Sequence, residues 1–458
     1  MNRRVVVTGL GVVAPNANTV AEFSEALRQG RSGIRAVERL AELGFACRVA
    51  GVPQETDGIA SAYFGAAELA VMNSNLRYAS IAAVDAWRDA GLVRPEPADD
   101  GVDWDTGAII GTGTGGLDTV GERVVPLTDA GKVRRLGSAI VEQVMSSGVS
   151  AKIAGLLALG NQVTTNSSAC CSGTEAILEG ALRIRHGLAK RMVCGGSEGA
   201  SHYIWAGFDS MRVLCRNHNA APEQVSRPLS ASAAGLVPGA GAGVLLLESL
   251  ESALQRQARI YAEVLGGVVN CGGHRGGGSM TMASPEGVRR CIRAALADSG
   301  VRPDEVDAIN GHLTATDADP REVHAWAAAL GCAPEKFPPI TSTKSMIGHT
   351  LGAAGAIELV ASVLMLSHGF IHPSINCEDV HPEIMPFAAA IPHCCRELPG
   401  MRVLAKAGFG FGDVNACLVL RRWDEGDALT GFAHESQRSP FEKPARPFGG
   451  DLMCNENS

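Results

Sequence analysis

A chain of 458 residues with 46% hydrophobic and 19% charged side chains and 55 glycines is far longer than one small core requires, and too apolar to stay unfolded. The net charge of -8 excludes a nucleic-acid or anionic-membrane surface as the main partner, because either would need a broad positive field. Thirteen scattered cysteines, odd in number and with no secretory leader, predict free thiols in a reducing cytoplasm.

The opening "RRVVVTGLGVV" reads as a core strand, since its valine run is short and ends in Gly and Pro without an A-x-A cleavage site. Short β-rich runs then alternate with helical patterns: "TVAEFSEALRQG", "RYASIAAVDAWRDAG", "GAIIGTG", "RMVCGGSEGA", "AGVLLLESL" and "AEVLGGVVN". In "SPEGVRRCIRAALADSG", Ser284 is the N-cap ahead of Pro285 and Glu286, and "DAINGH" and "ACLVLRRW" follow as strands. The alternation predicts an α/β fold with helices on largely parallel sheets. "LGAAGAIELVASVLMLSHGF" has membrane length but carries Glu358 and His368, so a buried helix is expected and no membrane partner. Residues 424–458, rich in Pro, Gly, Ser and charge, read as a disordered tail outside the chemistry.

Two stretches repeat in kind. "VPGAGAGVLLLES" and "AGFGFGDVNACLVLRR" are both Gly-punctuated turns feeding an apolar strand, and "VVVTGLGVV" has a counterpart in "AEVLGGVVN". A small-residue helix follows Cys170 in one part and His349 in the other. Two similar halves, 1–255 and 256–423, would bring those helix starts face to face at a shared cleft.

Cys170 ends the strand-like "QVTTNSSA" and opens a helix, where unpaired N–H groups and the helix dipole favour a thiolate. Its neighbour Cys171 points about 100° away, so only one of the two can face a cleft. His312 follows a short strand in "INGHLTATDADPREVHAW", and Lys344 and His349 surround a Gly turn in "PITSTKSMIGHTLGAAGAIELV". Two histidines in such settings, with a loop cysteine upstream, fit a nucleophile assisted by two hydrogen-bond donors to a developing oxyanion. "GFGFGDVNA" offers backbone N–H groups to a carbonyl oxygen. "GTGTGG" at 111–116 lacks a βαβ context for a dinucleotide, and no Cys or His spacing predicts a metal site.

"ACCSGTEA", "NGHLTAT", "STKSMIGHTLGAAGA" and "GFGFGDVNA", in this order, resemble the active-site motifs of the elongating β-ketoacyl-ACP synthases of the thiolase-like superfamily. The opening strand and "SRPLSASAAGLVPGAGAGVLLLE" extend the resemblance over about residues 3–422. It implies a duplicated five-layered αβαβα thiolase-like fold, normally a homodimer. It implies a ping-pong condensation of an acyl group on Cys170 with malonyl-ACP, in fatty-acid or type II polyketide or polyene elongation, with no cofactor. Cys170 matches the nucleophile and Cys171 a variable position. His312 and His349 match the histidines that hold the thioester carbonyl as it becomes an enolate. Lys344 matches the lysine of that network, with Glu322 and Glu358 as its acidic partners. Phe411 matches the gating phenylalanine, whose N–H would join that of Cys170 in an oxyanion hole. Thr114, Thr314, Thr316, Phe409 and Asn415 are the substrate-binding positions the resemblance implies.

Departures from the family pattern point to a divergent branch. The His312–Glu322 loop is one residue short, and the usual R-P-F-D and R-D-G-F read "RPLS" and "AAGL". The basic cluster before the "M-D" helix is missing, which leaves Lys132, Arg134, Arg135 and Arg216 as candidates for docking an acidic acyl carrier protein. Glu142 and Gln143 lie in the stretch that usually lines the acyl pocket from the dimer partner. Two alternatives stand beside a ketosynthase. A thiolase would need a second reactive cysteine near "GFGFGDVNA", and a non-catalytic chain-length factor would be expected to lack the nucleophile. Heterodimer formation with such a factor remains open.

Overall fold

The computed structural model describes residues 3–96, 98–424 and 426. The tail expected from 424 onward therefore lies almost wholly outside the described residues. Ten strands make one mixed sheet. In chain order they are β1 (Val5–Val13), β2 (Thr106–Gly111), β3 (Val163–Thr164), β4 (Arg191–Glu198), β5 (Gly241–Ser249), β6 (Ala262–Cys271), β7 (Ala308–Asn310), β8 (Ile340–Thr341), β9 (Val403–Gly410) and β10 (Val414–Arg422). They lie side by side as β8-β7-β9-β10-β6-β1-β5-β4-β2-β3. Divided between β6 and β1, the order is β1-β5-β4-β2-β3 on one side and β6-β10-β9-β7-β8 on the other, the same path traced twice. The two paths meet through the antiparallel pairs Val5–Val264, Val6–Glu263 and Val7–Ala262.

The sheet is mixed where the sequence pattern suggests largely parallel strands. β4 pairs parallel with β2, and β9 with β7, but β5 runs antiparallel to both β1 and β4. β10 likewise runs antiparallel to β6 and β9. In the second half the last strand arrives through the tight turn at 411–413 and so reverses direction, whereas in the first half a longer connection that includes the helix His202–Ser210 leads into β5.

Six helices complete the layers: α1 (Ser74–Asp89), α2 (Gly148–Leu157), α3 (Ser172–Arg185), α4 (Pro285–Ser299), α5 (Ala318–Leu330) and α6 (Ala354–His368). α1 and α2 cover the outer face of the first half, and α4 and α5 that of the second. α3 and α6 pack between the halves against strands of both. The apolar runs of β5 and β10 follow from this sandwiching. Val244 and Leu246 face the outer layer while Leu245 and Leu247 face the centre, and Cys417 and Val419 alternate with Leu418 and Leu420 in the same way. α6 is buried at every position from Ala354 to Leu366, so the membrane-length stretch is the central helix of the fold. The Ser284 hydroxyl accepts from Gly287 N–H at 3.0 Å, the N-cap expected for α4.

The central pair touches through its first turns. A Cβ on Gly173 would lie 2.7 Å from Ala356 N, and one on Gly355 would lie 2.2 Å from Thr174 Oγ1. Each half thus contributes the glycine that admits the other. Gly355→Val should cost at least about 1–3 kcal/mol through overpacking against α3. The check is urea unfolding: the midpoint falls while the wild-type slope is kept.

Candidate active site

Each central helix is entered through a single 3₁₀ turn, Ala169–Cys171 before α3 and Leu351–Ala353 before α6. The first residue of both turns, Ala169 or Leu351, is left-handed at φ 50°. Such a conformation is rare outside glycine, and its recurrence at the two helix starts marks a constrained geometry. The turn aims Cys170 into a cavity of about 270 Å³ that His312, Thr314, Thr316, His349, Phe409 and Phe411 also line. Cys171 points the other way. Its thiol is fully buried and donates to Gly408 O at 3.2 Å and Val414 O at 3.3 Å, which ties the turn to the β9–β10 hairpin.

His349 Nε2 lies 3.1 Å from Cys170 Sγ. On the other side of the ring, Leu351 N–H donates to His349 Nδ1 at 3.2 Å. A neutral imidazole that accepts at Nδ1 carries its proton on Nε2, so His349 presents a donor to the sulfur and to any oxygen that approaches it. The His312 ring stands edge-on to His349, with centroids 5.2 Å apart. Burial, joined by the charge of Lys344, holds both imidazoles well below the ordinary histidine range, so they are neutral.

The thiol departs from the expectation for a helix start. Burial pushes Cys170 up to about 11, against the opposing pull of the Lys344 ammonium and a hydrogen bond from Phe411 N–H. Desolvation outweighs the helix terminus, and the resting group is a thiol.

Beneath the histidines Lys344 pairs with Glu358, both almost wholly buried. Glu322, expected as a second partner of Lys344, is coupled to it through charge and also holds the loop backbone. Its carboxylate accepts from His312 N–H at 2.7 Å and Leu313 N–H at 2.8 Å, and burial pushes it up to about 7. Asp319, one turn earlier, accepts from Thr314 N–H, Ala315 N–H and Leu229 N–H. Thr314 and Thr316 join through their hydroxyls at 3.0 Å on the cavity wall.

Two of the substrate-binding positions do not line this cavity. Asn415 is fully buried on β10, where it donates to Asn270 Oδ1 at 3.0 Å and to Asp413 O. It pairs directly across the hairpin with Phe409 and shares that face of the sheet, but its amide is engaged by Asn270 and Asp413 instead of the cavity. Thr114 is held by Glu198, to which it donates from its hydroxyl at 2.6 Å and from its N–H at 3.1 Å. Glu142 lines a separate cavity of about 410 Å³ with Met145 and Leu156. Lys132, Arg134, Arg135 and Arg216 are all exposed.

Three buried charges of the site went unread in the sequence, Asp319 among them. Glu198, at the end of β4, gathers N–H groups from Gly113, Thr114 and Gly352, and so ties the 112–114 loop to the turn that opens α6. Lys406 on β9 is fully buried, with its ammonium 2.8 Å from Glu358. An uncompensated charge inside an apolar strand was the available signal. Among the described residues, one group has side-chain atoms close enough together to share a cation: Cys170 Sγ and nitrogens of His312 and His349 lie within 4.8 Å of one another. Two ammonium groups close beneath oppose a cation there and favour negative charge.

The chain has known relatives. Residues 2–253 match the family Beta-ketoacyl synthase, N-terminal domain, and residues 261–378 match Beta-ketoacyl synthase, C-terminal domain. The 3-oxoacyl-[acyl-carrier-protein] synthase 2 of Synechocystis sp. is 36% identical over 92% of this chain and 98% of its own. The 3-oxoacyl-[acyl-carrier-protein] synthase 1 of Escherichia coli is 34% identical over 92% of this chain and 99% of its own. Among solved structures, the ishigamide ketosynthase/chain length factor superposes with a TM-score of 0.83 at 32% identity, covering 93% of this chain and 100% of that one. A type II polyketide ketosynthase in complex with its acyl carrier protein superposes with a TM-score of 0.81 at 29% identity, covering 93% of this chain and 100% of that one. With its duplicated thiolase-like fold and its Cys–His–His cavity, the chain belongs to the β-ketoacyl synthase family of condensing acyltransferases.

Proposed function

We propose that the chain lengthens an acyl group held on Cys170 by decarboxylative Claisen condensation with malonyl-ACP, releasing β-ketoacyl-ACP. The observation that carries the residue assignment is the 3.1 Å contact between His349 Nε2 and Cys170 Sγ, with His312 beside it around one cavity. The Cys170 thiol gives up its proton as Sγ attacks the acyl-ACP thioester, the new S–C bond replaces the old, and the carrier sulfur takes a proton and leaves as a thiol. The N–H groups of Cys170 and Phe411 face the oxyanion of that step. Malonyl-ACP then loses carbon dioxide, and the electron pair of the broken C–C bond moves into an enolate whose oxygen accepts from the two neutral imidazoles. The enolate carbon attacks the Cys170 thioester, and the sulfur departs as the C–C bond forms. Both substrates bring their own activation as thioesters, so the reading requires no cofactor.

Of the residues lining the cavity Cys170 is the only cysteine, which favours condensation over a two-cysteine thiolase cycle. Retention of Cys170 and both histidines favours it over a chain-length factor. We place acyl carrier protein as the partner, docking through Lys132, Arg134, Arg135 and Arg216, in the cytoplasm, where free thiols persist. Homodimer formation is part of the same reading. The edge strand β3 has an exposed Val163, and Val125, Val133, Val141 and Met145 nearby in the chain are exposed large apolar residues. Pairing with a chain-length factor is the other assembly that surface permits.

Intact-protein mass spectrometry with acyl-ACP should show one acyl group on the wild type and on Cys171→Ala, and none on Cys170→Ala. Condensation by Cys170→Ala should fall by about 10³-fold or more, and an acyl group found on Cys171 would overturn the assignment. His349→Ala should lower carbon dioxide release from malonyl-ACP by about 10²–10³-fold, read by radiolabel loss. With the free thiol at about 11, alkylation by iodoacetamide should keep rising from pH 7 to pH 10. A plateau below pH 9 would contradict the resting thiol.

A further inference from the structure

The condensation assigns work to Lys344 and Glu358 but none to Lys406, although Lys406 is as deeply buried as either. It stands on β9 in register with Asn310, the strand residue two before His312. Asn310 in turn donates to the backbone carbonyl of Glu358 at 3.2 Å and to Thr343 Oγ1 at 3.2 Å, so one polar floor joins β7, β9, α6 and the Lys344 turn. On that floor the Glu358 carboxylate is divided, with Oε1 against Lys344 and Oε2 against Lys406. Lys406 also donates to Ala407 O, just before the hairpin that carries Phe409 and Phe411. Two ammonium groups against one carboxylate leave a net charge of about +1 where burial screens little.

We propose that Lys406 is a second positioning residue for the condensation, whose ammonium shares Glu358 with Lys344 and leaves the floor of the site one charge positive beneath the forming enolate. The inference rests on the condensing reading above. The excess charge acts in two ways. It attracts the negative charge that moves onto the enolate oxygen. It also opposes protonation of His349, which would put a proton on the nitrogen that now accepts from Leu351 N–H and break that bond.

Of the other charges around the two imidazoles, Glu322 also couples to Lys344, but burial pushes its carboxyl up to about 7, so on the acid side of that value it is neutral and the floor stays positive. From β4, Glu198 is saturated by backbone donors and hydroxyls. From α5, Asp319 and Glu322 are directed to the amides of the 312–316 loop, while Asp317 and Arg321 stand exposed at the mouth of the cavity. Cys170 on the α3 turn is a thiol. Lys344 and Lys406 both hold the imidazoles down, after burial itself.

The experiment follows carbon dioxide release from malonyl-ACP against pH in the wild type and three variants. Lys406→Met lowers the floor charge from about +1 to 0, Lys406→Met with Glu358→Gln restores about +1, and Glu358→Gln alone gives about +2. With less positive charge an imidazole protonates at higher pH. The acid limb should therefore rise by about one pH unit in Lys406→Met, return towards the wild-type position in the double variant, and fall in Glu358→Gln. Any two variants that fold, shown by wild-type circular dichroism, suffice to test the order. Activity lowered equally at every pH, with the limb unmoved, would overturn the role of Lys406 and leave it a packing residue. A wild type that releases no carbon dioxide would instead overturn the condensing reading itself.

Discussion

The site depends on one contact, the approach of α3 and α6 through Gly173 and Gly355. Each helix is preceded by a 3₁₀ turn whose first residue is left-handed, and each turn ends close to the glycine that admits the other helix. Cys170 belongs to one turn, and His349 ends two residues before the other. The backbone contact between halves brings the two side chains within the 3.1 Å at which they meet. A side chain at either glycine would push apart the turns that carry the nucleophile and its donor.

Buried carboxylates then fix what the helices bring together. Glu322 and Asp319 cap the amides of the 312–316 loop, Glu198 caps those of 113, 114 and 352, and Glu358 holds two ammonium groups. Three of the four bind backbone N–H groups, which sets loop conformation rather than local charge alone. A loop held this way presents its side chains without reorganising when substrate arrives, which is where electrostatic catalysis gains most.

The chemistry was more legible in the sequence than its supports. Cys170, His312, His349, Phe409 and Phe411 stand together because each sits at a turn beside a strand or helix end, and such junctions leave marked sequence patterns. The duplication was legible for the same reason, since turn glycines and apolar strands repeat. Strand direction was not, because β5 and β10 are apolar on both faces and the same run suits either orientation. Glu322 was placed beside Lys344 by motif, and the two charges are coupled, but its hydrogen bonds to the His312 and Leu313 amides left no mark in the sequence. Lys406 and Glu198 lie in strand-like runs where a single charge has no local partner, and their partners are about 48 and 154 residues away in the chain. The exchange between burial and helix dipole at Cys170 could not be read at all, since it turns on how much solvent reaches the sulfur.

The central layer also governs how the chain can be made. The inner face of the first half, with Leu245 and Leu247 on β5 and Ile177 and Ile184 on α3, is covered by α6, which begins at Ala354. During synthesis at about 5–20 residues per second, that face waits several seconds or more for its cover after β5 is complete. The first half leaves the ribosome as an incomplete layer with apolar surface showing, and its folding is tied to the arrival of the second. A duplicated architecture suggests two modules able to mature one after the other; the shared helices make them a single late-closing unit instead.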